Sequence, residues 1–305
     1  MPGSHLEVRD HLEPAERAEV DDLLVAAGVA DGRPPLNDAA HLELEHPVAG
    51  RFVAVTARTG DRRLAGYAQL TGRPGSWSLA VVVAPAARPA SDALAGELLA
   101  AALAEAARRG GGHLTLWDPG GTASLGQAAE RAGLTLGRQV CQMRVPLPLP
   151  EAQRSAVPPL AVRPFCPGAD EAAWLEVNNR AFAGHPEQGR WDLAALAARE
   201  AEPWFDPAGF LLYEADGRLL GSCWTKVHAA AVPPMGEIYV ISVDPAAHGR
   251  GLGRALTVAG LDWLAGAGLG LGMLHVDADN AAAVHLYGSL GFTVHHVDRA
   301  YVVDL

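Results

Sequence analysis

The sequence is poor in cysteine, in positive charge and in long apolar segments. Its three cysteines, Cys141, Cys166 and Cys223, form no CxxC pair, so a disulfide framework or structural zinc site has no support. No apolar run reaches the roughly 18 residues that a membrane-spanning helix needs, and the first residues carry acids instead of an apolar signal core. The net charge of −11 argues against nucleic acid or an anionic membrane as the main partner. We expect a protein of the reduced cytoplasm without a metal site.

Apolar residues make up 49% of the 305 residues, enough for a substantial core and for two domains of ordinary size. Five prolines in "PLPLPEAQRSAVPPL" (146–160) interrupt the chain near its middle and predict a linker. We therefore predict an N-terminal domain over 1–147, a linker over 148–159 and a C-terminal domain over 160–305.

The two halves follow one plan. Each has two strands, a helix, a strand, a second helix and a closing strand, and matching landmarks recur about 155 to 160 residues apart. The landmark pairs are Gly66 with Gly221, Pro85 with Pro245, and Gly133 with Gly291. This order predicts a mixed α/β fold in both domains, each a central mixed sheet flanked by helices. An internal duplication supplies a pseudo-dimer within one chain, so a monomer is the expected state.

A glycine-rich loop, "VDPAAHGRGLGRALTVAG" (243–260), joins a predicted strand to a predicted helix. Gly249, Gly251 and Gly253 allow unusual backbone angles and let a ligand approach the chain closely. N–H groups at the start of a helix suit phosphate oxygens, and Arg250 and Arg254 add positive charge. The loop predicts a phosphate-binding site.

Three nucleotide-binding motifs compete for this loop. A Walker A loop needs Lys followed by Ser or Thr, where this chain has Arg254 and Ala255. A dinucleotide-binding fingerprint needs GxGxxG, but the spacing is GxGxG and no early βαβ unit surrounds it. A pyrophosphate cradle of the type [Q/R]xxGx[G/A] remains.

With "DNAAAVHLYGSLGF" (279–292) further on, this loop resembles the GNAT superfamily of acyl-CoA N-acyltransferases. The resemblance implies two tandem GNAT domains and acetyl-CoA as co-substrate, bound by the strand before the loop, by the loop and by the final helix. It assigns cofactor contacts to Ile241, Ser242, Val243, His248, Gly249, Arg250, Gly251, Leu252, Gly253, Arg254, Asn280 and Ala283. His248 stands where the family mostly has Gln or Arg.

The second half also resembles the mycothiol synthases, most densely in "VNNRAFAGHPEQGRW" (177–191), "EPWFDPAGF" (202–210) and "WTKVH" (224–228). The resemblance implies acetylation of the cysteinyl amine of cysteinyl-glucosaminyl-inositol. It implies that Asp38, Glu187, Lys226, Glu237 and His275 contact this acceptor. Asp38 replaces a glutamate of the family, and His275 replaces a tyrosine.

Acetyl transfer to an amine needs a base that removes a proton and an acid that protonates the departing thiolate. By resemblance, Glu237 is the base and Tyr287 the acid. Cys223 is expected in the core, because direct attack of the amine needs no acyl-enzyme.

The first half lacks the cradle. Ser91 and Ala93 align with Gly251 and Gly253, Pro89 removes an N–H group and Asp92 adds a negative charge. We predict that this half is catalytically silent and binds acetyl-CoA weakly or not at all.

Two other functions stay open at this stage. A related GNAT enzyme would acetylate another amine, such as an aminoglycoside, a polyamine or a protein N-terminus. A non-catalytic acyl-CoA sensor is disfavoured because Glu237 and Tyr287 are both present.

Overall fold

The computed structural model describes residues 5–155, 157–185 and 188–305, without the side chains of residues 89–92 and 123. The chain forms two compact units. Unit 1 comprises Met1–Val140 and Val297–Leu305, and unit 2 comprises Cys141–His296.

Unit 1 contains a mixed sheet between two layers of helices. Its elements are β1 (His5–Arg9), α1 (Pro14–Asp31), α2 (Asp38–Glu45), β2 (Phe52–Arg58), β3 (Leu64–Arg73), β4 (Ser76–Val83), a 3-10 helix (Pro85–Ala90), α3 (Ser91–Arg108), β5 (His113–Asp118), α4 (Ala123–Arg131) and the first part of β6 (Thr135–Pro146). The last part of β12 (Thr293–Asp304) completes the sheet by pairing antiparallel with β5. β4 and β5 pair in parallel, whereas β1 to β4 are antiparallel neighbours.

The alternation of side chains along β2 shows why both faces of this sheet are covered. Val53 and Val55 pack in the cluster that contains α3, whereas Phe52 and Ala54 pack in the cluster that contains α1. Successive residues of a strand face opposite sides, so a strand that is apolar throughout needs a helix layer on each side.

Unit 2 repeats the order of unit 1. Its elements are α5 (Glu151–Arg154), β7 (Val162–Pro164), α6 (Glu171–Ala181), α7 (Leu193–Glu200), a 3-10 helix (Pro207–Gly209), β8 (Phe210–Ala215), β9 (Arg218–His228), β10 (Met235–Val243), a 3-10 helix (Pro245–Ala247), α8 (Leu252–Gly266), β11 (Leu271–Asp277) and α9 (Ala281–Ser289). The strand order is β6-β11-β10-β9-β8-β7. β10 and β11 are parallel, and the pairs from β7 to β10 are antiparallel.

Helix α8 lies directly on the sheet because small residues stand at its contacts. A Cβ atom on Gly260 would come within 2.4 Å of Cys223 Sγ, and one on Gly236 within 2.5 Å of Leu264 Cδ2. On the opposite face an aromatic core forms, in which the rings of Phe210 and Trp224 stack with centroids 4.3 Å apart. These contacts fix β9 and β10 from both sides.

The predicted fold class, two mixed α/β domains in tandem, is confirmed. The predicted linker contains one helical turn, α5. None of the described helices is both long and apolar enough to cross a membrane.

Candidate active site

Strand β10 lies in the middle of the unit 2 sheet. At one end of β10 the sheet is open on the side of β11. Its register with β9 shifts between Ile238 and Val240, which marks a bulge at Tyr239. Over the described residues its parallel register with β11 covers only Gly236–Ile238, whereas β10 continues to Val243. On the side that faces β11, the backbone of Ile241–Val243 therefore borders an opening between β10 and β11.

The side chain of Ser242 does not face this opening. It is buried, and its hydroxyl lies 2.8 Å from the hydroxyl of Ser222, which accepts a hydrogen bond from Trp174 Nε1. Of Ser242, only the backbone is therefore suited to bind a ligand.

The glycine loop after β10 needs glycine at two positions for its own geometry. Gly249 and Gly251 have φ angles of 76° and 75°, in the left-handed region that side chains disfavour. Gly253 has no such angle, and an added Cβ would meet only Leu286, at an ordinary distance of 3.8 Å. The described fold alone does not explain a glycine at 253, whereas close approach of a ligand to the N-terminus of α8 would.

Other loop residues stabilise the loop itself. The Asp244 carboxylate accepts a hydrogen bond from the N–H of Ala246 and pairs with Arg180 at 2.7 Å. The hydrogen bond from the Ala246 backbone, and after it the bond from Arg180, hold the pKa of Asp244 below its ordinary value. A ring nitrogen of His248 lies 3.1 Å from the Val243 carbonyl oxygen, so the side chain of His248 folds back onto the loop. Arg250 is exposed, and Arg254 donates to the hydroxyl of Ser289.

Glu237 lies near the start of β10, buried between two imidazoles. His228 Nε2 is 2.7 Å from one carboxylate oxygen, and His275 Nδ1 is 3.1 Å from the other. Burial by itself raises the pKa of this carboxyl, but the hydrogen bonds from His228 and His275 outweigh it and hold the pKa well below its ordinary value. Glu237 is therefore ionised at neutral pH.

Lys226 stands beside Glu237 on the neighbouring strand. The two residues are register partners on β9 and β10, and both are buried. The ammonium group of Lys226 lies 4.4 Å from the ring centroid of Trp204 and 5.4 Å from that of Tyr239. A carboxylate and a cation next to aromatic faces suit a polar acceptor with an amine and hydroxyl groups.

Tyr287 lies on α9 and is buried, with its ring 5.8 Å from that of Phe292. Burial raises the pKa of its phenol to about 12, so the hydroxyl keeps its proton at neutral pH. Asn280 caps α9 by accepting a hydrogen bond from the N–H of Ala283, so these two predicted cofactor residues bond to each other.

The remaining predicted acceptor residues are placed as follows. Asp38, half-buried, is the first residue of α2 in unit 1. Glu187 lies outside the described residues. The neighbouring His185 accepts from the N–H of Gln188 and lies 3.6 Å from Asp277. Cys223 is fully buried, and burial raises the pKa of its thiol to about 12, so it suits the core.

Sequence reasoning missed several members of this site. His228 lies two residues after Lys226 on one strand, a spacing that places both on one face, and this signal was available. Gln142 and Arg144, on β6, are far from His275 in sequence and are brought near it by the fold. Gln142 Nε2 lies 3.3 Å from His275 Nε2, and Arg144 donates to Gln142 Oε1 at 2.8 Å.

A cradle at a helix N-terminus, an open strand edge and a buried carboxylate are together typical of GNAT acyltransferases, and the comparisons with known proteins agree. The model of the acetyltransferase (GNAT) family matches residues 172–292. A GCN5-related N-acetyltransferase from Sphaerobacter thermophilus superposes with a TM-score of 0.72 at 23% identity, covering 98% of this chain and 95% of the other. A tandem GNAT protein from the clavulanic acid biosynthesis pathway gives 0.70 at 18% identity and covers 98% of each chain. At these identities the structures show the fold.

Relatives at higher identity narrow the class. The mycothiol acetyltransferase of Thermomonospora curvata is 46% identical over 298 residues, covering 96% of this chain and 95% of its own. That of Thermobispora bispora is 45% identical over 302 residues, covering 97% and 98%. The chain belongs to the mycothiol acetyltransferase family and is an N-acetyltransferase.

Proposed function

We propose that this protein transfers the acetyl group of acetyl-CoA to the cysteinyl amine of cysteinyl-glucosaminyl-inositol, the last step of mycothiol biosynthesis. The amine attacks the thioester directly in a ternary complex, in unit 2. The observation that carries the proposal is the buried, ionised Glu237 on the strand that leads into the glycine loop.

The glycine loop and the N-terminus of α8 suit the pyrophosphate of the co-substrate. Left-handed Gly249 and Gly251 orient the backbone, and Gly253 leaves room where the N–H groups of Leu252 to Arg254 begin the helix. The open edge of β10 at Ile241–Val243 offers backbone groups to the rest of the co-substrate and to the thioester carbonyl.

Glu237 accepts the proton that the acceptor ammonium must lose before its nitrogen can attack. Acetyl-CoA supplies a thioester carbonyl as electrophile. Two N–H donors hold the Glu237 carboxylate in place, so its remaining lone pairs have a fixed direction. Lys226, beside it, is placed to hydrogen-bond acceptor hydroxyls.

Tyr287 donates a proton to the sulfur of the departing CoA thiolate. A phenol with a pKa of about 12 is a neutral donor at pH 7, and a thiolate is a sufficiently strong base to accept its proton. The acceptor nitrogen loses two protons on its way from ammonium to amide. The first passes to Glu237 and then to solvent, and the second, lost after attack on the thioester, returns the phenolate of Tyr287 to the phenol, so the reaction releases one proton overall.

A panel of amines tests the acceptor. The purified protein is incubated with acetyl-CoA and cysteinyl-glucosaminyl-inositol, a polyamine, an aminoglycoside or a peptide, and CoA release is followed. We expect turnover on the first acceptor, with a product that gains one acetyl group and keeps a free thiol. Turnover on another amine alone would contradict the proposed acceptor, and release from none would contradict the proposed reaction.

A further inference from the structure

The structure contains a hydrogen-bonded chain behind the proposed base that the family resemblance does not assign. It runs from Arg144 through Gln142 and His275 to Glu237. We propose that Gln142 and Arg144 are positioning residues that hold His275 as the neutral tautomer with its proton on Nδ1, a permanent hydrogen-bond donor to Glu237. The inference rests on the proposed function for its catalytic meaning.

The direction of each bond follows from what the groups are able to donate. Arg144 has only donors, so the atom of Gln142 that it contacts at 2.8 Å is the amide oxygen. The amide nitrogen of Gln142 then faces His275 Nε2 at 3.3 Å, and it too is only a donor. His275 Nε2 must therefore accept, which leaves the proton of a neutral imidazole on Nδ1, 3.1 Å from Glu237 Oε1.

A protonated His275 would conflict with this arrangement. Its Nε2–H would face the NH₂ group of Gln142, which is also a donor. Rotation of the amide would place the oxygen toward His275 but would bring the NH₂ group to face the guanidinium of Arg144, again donor to donor. Gln142 is buried, whereas the side chain of His275 is 37% exposed, so the mismatch falls on the amide of Gln142, which would lose a hydrogen bond. Arg144 thus opposes a second proton on His275.

The neutral state matters for the strength of the base. A cation at His275 would stabilise the Glu237 carboxylate more than a neutral N–H donor does, and would weaken it as a proton acceptor. Among the described residues, the charged or titratable groups near these hydrogen bonds include His228, Lys226, Asp277 and His185. Among the described residues, the side chain of His228 hydrogen-bonds to Glu237, and no second group there fixes its tautomer.

Nitrogen NMR on protein labelled with ¹⁵N-histidine tests the tautomer without any substrate. The signals of His275, among 12 histidines, are assigned by their loss in His275→Tyr. We expect a pyrrole-type Nδ1 and a pyridine-type Nε2 that persist from about pH 6 to about pH 8. A proton on Nε2, or an imidazolium at pH 7, would overturn the inference.

Gln142→Glu supplies the functional readout, because a carboxylate accepts from Nε2–H and favours the imidazolium. Both His275 nitrogens should become pyrrole-type and kcat should fall about tenfold, with the KM for acetyl-CoA unchanged. Gln139→Glu, which adds the same charge at an exposed position of β6, should match the wild type. If Gln142→Glu does not fold, Arg144→Met should leave His275 as a mixture of tautomers. Wild-type tautomer and rate in the folded variants would refute the positioning role.

The NMR measurement needs no substrate. Failure of the proposed reaction and failure of this inference can therefore be told apart. A correct tautomer with no turnover would sustain the inference and contradict the proposed function. Turnover with the other tautomer would do the reverse.

Discussion

At the scale of single residues, the ionisation of Glu237 results from opposing effects. Burial favours the neutral acid, and the bonds from His228 and His275 favour the carboxylate. The result is a group that needs no deprotonation before it accepts a proton, although it is buried.

Removing one of the imidazoles should make the rate more sensitive to acid. In His228→Leu the carboxylate loses a donor, burial then raises its pKa, and the base becomes protonated at a higher pH. We expect the acid limb of the kcat/KM profile to move to higher pH.

His113→Leu is a matched control, because His113 also pairs with a carboxylate, that of Asp304, but in unit 1. Its profile should coincide with that of the wild type. An unchanged acid limb in His228→Leu would show that this imidazole does not control the ionisation of Glu237.

At the scale of elements, the glycine loop separates what the fold requires from what a ligand requires. Gly251 is left-handed and precedes α8, so alanine there should strain the backbone by about 1 kcal/mol. Gly253 is an ordinary helical residue with space around it.

Gly253→Ala should therefore stabilise the protein, by up to about 1 kcal/mol, because alanine favours a helix more than glycine does. Its methyl group should also obstruct the co-substrate and raise the KM for acetyl-CoA several-fold. Gly266→Ala, at the other end of α8 and likewise without close neighbours, should raise stability without changing KM. Thermal unfolding and initial rates measure the two effects, and an unchanged KM in Gly253→Ala would remove the loop from the co-substrate site.

The elements around this loop were largely predictable from sequence, and the side-chain network was not. The predicted strand before the glycine loop is β10 and the predicted helix after it is α8, because apolar periodicity and glycine mark these elements locally. The contact of Gln142 with His275 joins residues far apart in the chain, and no local pattern encodes it. The pairing of β12 with β5, by which Val297–Leu305 belongs to unit 1, is likewise a tertiary contact that no local pattern encodes.

At the scale of the whole molecule, the two units share a strand order but differ at the cradle. In unit 1 the segment between β4 and α3 is a 3-10 helix over Pro85–Ala90 followed directly by α3, whereas unit 2 places left-handed glycines before α8. That unit 1 is catalytically silent remains a prediction from the sequence.

Calorimetric titration with acetyl-CoA tests whether only unit 2 binds the co-substrate. We expect one acetyl-CoA bound per chain, with binding lost in a variant that carries Gly251→Ala and Gly253→Ala together. Two equivalent sites per chain would contradict the prediction for unit 1. Binding that survives the double substitution would contradict the assignment of acetyl-CoA to the glycine loop.

We expect Glu237 of unit 2 to take the proton from the acceptor amine. The most direct measurement is the turnover of cysteinyl-glucosaminyl-inositol by Glu237→Gln beside the wild type, with acetyl-CoA affinity and thermal stability measured in parallel. The variant keeps the size and a hydrogen-bond acceptor but cannot accept a proton, so kcat should fall by about 100-fold to 10,000-fold while acetyl-CoA still binds. A folded Glu237→Gln variant with near wild-type kcat would show that Glu237 is not the base.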